Sequence, residues 1–166
     1  FFLPDLMLAG DAMMSGVALC EAKLGHKSDT KAPVMTFAVE GDPHDIGKNL
    51  IVMFLNANGY GAIDLGRDVP TLEVVKQAQE HKPVLMTATA LMTTTMTEFG
   101  KIVAALQEAG IDTPVGCGGG AVRRDFVEES PQTFYGVEAY HVPKLADAIV
   151  DDGKTWEDIR NEYSDI

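Results

Sequence analysis

Asp42 and His44 have the types and spacing for metal chemistry, lying two apart within the stretch Glu-Gly-Asp-Pro-His-Asp-Ile-Gly-Lys-Asn from Glu40 to Asn49. A carboxylate can hold one nitrogen of an imidazole and leave the other to meet a metal. Gly47, where a helix would begin, lets a bulky group approach the backbone closely. Taken alone, an Asp-x-His pair is more often a solvated turn or a helix cap. Its setting matters more than its spacing. Val34 to Val39 is an apolar run that reads as a buried strand, and Ile46 to Asn58 has helical apolar periodicity. In a doubly wound sheet, a loop leaving the C-terminal end of a strand is where ligands sit.

The elements that would position this loop alternate along the chain. Strands are expected at 34–39, 61–65, 84–88, 114–117 and 134–137, and helices at 47–57, 71–80, 95–109, 122–129 and 142–151. Asn58-Gly59 and Ala109-Gly110 look like helix stops. The pattern predicts an α/β fold with a five-stranded parallel doubly wound sheet, Rossmann or flavodoxin-like, in the order 2-1-3-4-5. The loops after 39 and 89 would then leave from one crevice, between the first and third strands. Before the sheet, Asp5 to Leu24 carries a helix pattern with Leu6, Met7, Met13, Met14, Val17, Leu19 and Leu24 as its apolar residues. Residues 1–25 are expected to form a helical unit, 26–33 a polar linker, and 34–166 the α/β domain. Thr155 to Tyr163 predicts a short amphipathic helix that sets Trp156 on the body.

Other residues could serve chemistry or structure. Thr87 to Thr97 is rich in threonine, and Thr94 or Thr95 could cap a helix beginning near Thr95 or Met96. Gly116, Gly118, Gly119 and Gly120 surround Cys117 after the fourth strand and could let a flat group lie against the backbone. The Gly-x-Gly-x-x-Gly spacing of a dinucleotide site is absent. His26, His81 and His141 have no carboxylate at useful spacing and read as surface or satisfied histidines. Cys20 and Cys117 have no Cys-x-x-Cys partner and read as small buried hydrophobes, which argues against a disulfide framework or a thiolate zinc site.

Composition narrows the classes. The chain has 166 residues, 46% of them hydrophobic, enough for one α/β domain with a real core plus an extra element. A net charge of −12 argues against nucleic-acid binding by a basic surface. No apolar run approaches the ~20 residues that span a bilayer, so no membrane partner is expected. No signal peptide with a basic n-region is evident, which makes the cytoplasm the default location.

Asp42-x-His44-x-x-Gly47, Thr89-x-Leu91 and Gly118-Gly119 together resemble the three-part signature of the cobalamin-binding domain. The flanking residues resemble the corrinoid proteins of anaerobic methyltransferase systems and the cobalamin domain of methionine synthase. This resemblance implies a cobalamin cofactor whose base is displaced from cobalt and buried between strands one and three. His44 would be the lower cobalt ligand, and Asp42 and Thr95 would complete a relay behind it; threonine stands where the family has serine at 89 and 95. Asp45, Ile46, Gly47, Thr89, Leu91, Thr93, Gly118, Gly119, Gly120, Glu138 and Tyr140 would line the cofactor, with Phe2 over its upper face. The N-terminal helix would be the last of a four-helix cap, and self-association through it is expected.

By the same resemblance, the chain would carry a methyl group through Co(I) and methyl-Co(III). A substrate-specific methyltransferase would load it, and a second methyltransferase would unload it to tetrahydrofolate or a thiol. A reductive activator would return Co(II) to Co(I), and release of His44 from cobalt would be coupled to proton uptake on the His44–Asp42 pair. The chain would be a component of such a system, not a complete enzyme. Alternatives are the cobalamin domain of an adenosylcobalamin mutase and a metal-free flavodoxin-like module. The glycine loop carries a steric expectation: Gly119→Val should block the cofactor while leaving the fold largely intact.

Overall fold

The computed structural model describes residues 2–24, 30–136 and 138–163, with the side chains of 3, 14, 17, 18, 21, 22 and 24 outside that description. Five parallel strands, β1 (Lys31–Ala38), β2 (Tyr60–Asp64), β3 (Leu85–Thr89), β4 (Val115–Gly118) and β5 (Thr133–Tyr135), form one sheet in the order β2-β1-β3-β4-β5. The helices are α1 (Leu3–Leu24), α2 (Ile46–Ala57), α3 (Thr71–His81), α4 (Glu98–Glu108), α5 (Arg124–Val127), α6 (Val142–Val150) and α7 (Trp156–Glu162). The order is the expected one and brings the C-terminal ends of β1 and β3 side by side.

Strand alternation sorts the core into two layers. Met35, Phe37 and Val39 face one side with Met86 and Ala88, and pack on Val74 of α3 and Phe99, Ile102 and Leu106 of α4. Val34, Leu85 and Phe134 face the other side with Ile51 and Leu55 of α2, Leu145 of α6 and Ile159 of α7. A sheet buried on both faces explains why its strands read as apolar runs.

Several boundaries differ from the sequence reading. β1 begins at Lys31, so Lys31 to Pro33 are strand where the linker was expected, with an irregular register between Lys31 and Pro33. The linker residues 25–29, including His26, lie outside the described residues. α4 begins at Glu98, and residues 93–97 form turns. Neither Thr94 nor Thr95 caps it: no side-chain cap bond forms, and the Thr95 side chain is committed to Asp42. α7 does carry a capping box, from Thr155 and Asp158, and Arg160 lies 4.8 Å from the Trp156 ring centre while donating to the Thr133 carbonyl at 2.6 Å.

α1 is the least integrated element. Leu6, Leu8, Met13 and Leu19 are exposed on it, and Gly10 meets α2, the Met53 thioether filling the place where a side chain would go. Cys20 is exposed here, contrary to the buried role expected of it, while Cys117 is buried in β4. Among the described residues, no helix is long and apolar enough to cross a membrane.

Candidate corrinoid site

The loop between β1 and α2 folds around a carboxylate. Asp42 is fully buried, and five hydrogen bonds reach it. Its Oδ1 accepts from the His44 amide at 3.0 Å and meets His44 Nδ1 at 2.7 Å. Its Oδ2 accepts from the amides of Leu91 at 2.7 Å and Met92 at 3.3 Å, and from the Thr95 hydroxyl at 2.8 Å. Burial alone would raise the Asp42 pKa. The bonds from Leu91, Thr95 and His44 outweigh it and hold the group at about 2, below the ordinary 3.8.

That ionisation state sets the imidazole. A carboxylate cannot donate, so in the neutral ring Nδ1 carries the proton and Nε2 keeps its lone pair. The His44 side chain is 47% exposed and lines the rim of a cavity. Among the described residues, no group of three His, Cys, Asp or Glu side chains is arranged to hold a metal, so one imidazole is what the protein offers at this point.

Neighbouring segments brace the loop. The Asp68 carboxylate accepts from the Gly41 amide at 2.6 Å, and the Asp68 amide donates to the Asp42 carbonyl at 3.1 Å. Arg67 reaches the Pro43 carbonyl at 3.3 Å. Lys48 is buried at the start of α2 and bonds both oxygens of Asp64, at 2.7 and 2.6 Å, tying α2 to the end of β2.

The cavity, about 570 Å³, opens between the ends of β3, β4 and β5 on one side and α2 and the start of α6 on the other. His44, Asp45, Ile46, Gly47, Thr89, Leu91, Gly118, Gly119, Gly120 and Glu138 all line it. Asp42 and Thr95 are buried behind His44. The structure does not bring Phe2, Thr93 or Tyr140 into the cavity lining. Phe2 is exposed at the start of α1, and Tyr140 is exposed with its ring edge-on to Phe54.

Two expectations need correction. His141, read as a surface or satisfied histidine, lines the cavity, and its Nδ1 is buried without a hydrogen-bond partner among the described residues. Gly119 is glycine for the sake of the fold: its φ is +131°, and a Cβ there would overlap the Ala90 carbonyl. A valine would therefore disrupt the packing of the β4 loop on β3, so the fold would not survive Gly119→Val intact. Gly118 is similar, its absent Cβ lying 2.6 Å from the Gly136 carbonyl oxygen. The sequence reading also missed Thr87, Asp68 and the Lys48–Asp64 pair. Thr87 was visible only as one of many threonines, Lys48 stood in the Glu40–Asn49 stretch without an evident partner, and Asp64 and Asp68 lie in no chemical motif.

The site fits a large flat prosthetic group with a tail. Space is open where a Cβ would stand at Gly47, which lines the cavity. The Thr87 hydroxyl, on the cavity wall, is buried with no hydrogen-bond partner among the described residues. Thr89 makes only a long 3.4 Å contact to the Phe37 carbonyl, which leaves its hydroxyl available.

The B12 binding domain family matches residues 33–148. The methanol–corrinoid protein of Methanosarcina barkeri is 49% identical over 149 residues, covering 90% of this chain and 58% of the relative. Trimethylamine corrinoid protein 1 of Methanosarcina acetivorans is 37% identical over 154 residues, covering 90% of this chain and 71% of the relative. A chain in the crystal structure of the methanol:cobalamin methyltransferase complex MtaBC of Methanosarcina barkeri matches with a TM-score of 0.90 and 45% identity, over 98% of this chain and 63% of that one. This chain thus spans about three fifths of the length of the methanol-system relatives. The Asp42–His44 pair, the cavity beside it and these likenesses agree, and the chain belongs to the B12-binding domain family, with a corrinoid as its cofactor.

Proposed function

We propose that this chain is the methyl-carrying component of a corrinoid-dependent methyltransferase system, with His44 Nε2 as the protein's ligand to cobalt. The observation that carries the reading is the Thr95–Asp42–His44 chain of hydrogen bonds, which ends in a ring nitrogen at the rim of a cavity. The bound corrinoid supplies methyl acceptance and release at its metal. The protein's own residues orient and insulate. Asp42 fixes the imidazole tautomer, Thr95 and the amides of Leu91 and Met92 fix Asp42, and Gly47 leaves room for the group that His44 meets.

The likenesses support methanol as the methyl source, since identity to a methanol–corrinoid protein exceeds identity to a trimethylamine one, 49% against 37%. A methanol-specific methyltransferase is then the first partner. A second methyltransferase with tetrahydrofolate or a thiol as acceptor, and a reductive activator, complete the proposed system. The exposed apolar side chains of α1 support self-association through that helix. Titrating the protein with cobalamin and recording its absorption tests the core of the reading. A spectrum with the tail displaced and histidine bound is expected, and His44→Ala should abolish the histidine signature. An unchanged spectrum in that variant would refute the assignment of His44.

A further inference from the structure

One short segment holds both ends of the loop that carries His44. It runs from Asp64, the last residue of β2, to Val69, before α3. At the leading end of the loop, the Asp68 carboxylate accepts from the Gly41 amide at 2.6 Å, and the Asp68 amide donates to the Asp42 carbonyl at 3.1 Å. At the trailing end, both oxygens of Asp64 accept from the Lys48 ammonium. Between the two, Arg67 donates to the Pro43 carbonyl. The segment is itself anchored: Asp64 accepts from the Gly66 amide at 2.8 Å, and the Gly66 carbonyl accepts from the Ala38 amide of β1 at 3.0 Å.

Two of these residues stand where local preference is against them. Lys48 is buried in the first turn of α2, where the helix dipole disfavours a cation. Asp68 has a φ of +53°, which costs a residue with a side chain, although aspartate tolerates it better than most. A buried ion pair is weak evidence for stability, because an apolar pair of similar volume often does as well. What it does add is a fixed register between the parts it joins. Here those parts are the end of β2 and the turn that follows His44. Lys48, Asp64, Arg67 and Asp68 are all absent from the cavity lining, so contact with the cofactor there does not account for them.

We propose that Lys48, Asp64 and Asp68 are positioning residues for cobalt ligation, clamping both ends of the His44 loop to the end of β2. The proposal rests on the corrinoid reading above. Asp42 sets the tautomer and tilt of the ring, whereas the clamp sets where the backbone carrying both residues stands. A metal site works when its ligand is held within ~0.5 Å of the productive place, so a loosened loop gives a weaker ligand.

The test uses the full chain loaded with cobalamin and reads the Co(II)/Co(I) midpoint potential by spectroelectrochemistry. A ligand that Co(II) binds and four-coordinate Co(I) releases lowers this potential, and the lowering measures its strength. Lys48→Met and Asp68→Ala should each weaken ligation about tenfold. That raises the midpoint by about 59 mV for a one-electron couple. Asp68→Asn keeps an oxygen for the Gly41 amide and tolerates positive φ, so it should stay near the wild-type value. In a His44→Ala background, neither Lys48→Met nor Asp68→Ala should move the potential. Folded, cobalamin-loaded variants that keep the wild-type potential overturn the proposal. So do shifts that persist without His44, since the residues would then serve the fold alone. Asp68 is exposed, and its two variants decide the matter if Lys48→Met does not fold. A chain that binds no cobalamin, or a potential that His44→Ala itself leaves unchanged, refutes the reading on which this inference rests.

Discussion

The loop after β1 and the loop after β4 face the same cavity and are held by opposite means. The first is held by side chains: Asp42 gathers donors from its own loop, from Leu91 and Met92 after β3, and from Thr95, while Asp68 holds the Gly41 amide. The second is held by missing side chains: Gly118 and Gly119 let the backbone close on the carbonyls of Gly136 and Ala90. A hydrogen-bonded loop can keep a polar group at a chosen angle. A loop of close backbone contacts makes a thin wall and presents little chemistry. The structure accordingly puts the candidate metal ligand on the first and the wall of the cavity on the second.

The contrast is broken most severely at Gly119. Gly119→Val is expected to lose ~3 kcal/mol or more of stability, because it adds both an overlap with the Ala90 carbonyl and a β-branched residue at positive φ. Urea denaturation measures this, and a variant as stable as wild type would show that the loop relaxes freely.

On the first loop, Asp42→Asn should cost ~1–3 kcal/mol, since every group around Asp42 is a donor and an amide must turn its NH₂ toward some of them. Thr95 and His44 Nδ1 can reverse their roles, but the amides of Leu91 and His44 cannot. The asparagine variant is thus no mild replacement, and corrinoid affinity should fall ~10–100-fold as well. Unchanged stability would mean that the loop tolerates an unpaired donor.

Acid sharpens the same point. The folded-state pKa of Asp42 lies below its ordinary value, so its contribution is complete above about pH 4 and is lost as pH falls toward 2. The stability gap between wild type and Asp42→Asn should therefore narrow in that window. A gap constant from pH 7 to 2 would mean that the Asp42 charge contributes nothing.

The smallest effect is expected at Thr95. Thr95→Val removes one of several bonds to Asp42 and should cost ~1 kcal/mol, with Thr95→Ser restoring most of it. The histidine-bound spectrum should persist but shift in Thr95→Val. Failure of serine to rescue would show that the Thr95 methyl group, which lies near Gly41, is needed to hold the hydroxyl on Asp42.

Much of this molecule was legible in one dimension. Apolar runs separated by helical periodicity led to the strand order β2-β1-β3-β4-β5, because parallel strands with right-handed crossovers admit few arrangements. Asp42 and His44 were legible because the pair is local: two residues apart, they meet through one turn of backbone, and their bond needs no distant element. The apolar run of Val34 to Val39 marked a buried strand, and the net charge of −12 argued against a basic nucleic-acid surface.

What only the tertiary structure decided depends on residues far apart in sequence. Thr95 could cap α4 or bond Asp42, and the choice follows from β1 and β3 being neighbours, which brings a carboxylate in need of donors to its side. Gly119 could spare room for a ligand or for the chain, and only the position of the Ala90 carbonyl shows that it is the chain. His141 and Thr87 carry no motif. Their meaning is that they lack partners among the described residues, and a missing partner can be recognised only once the chain around it is folded.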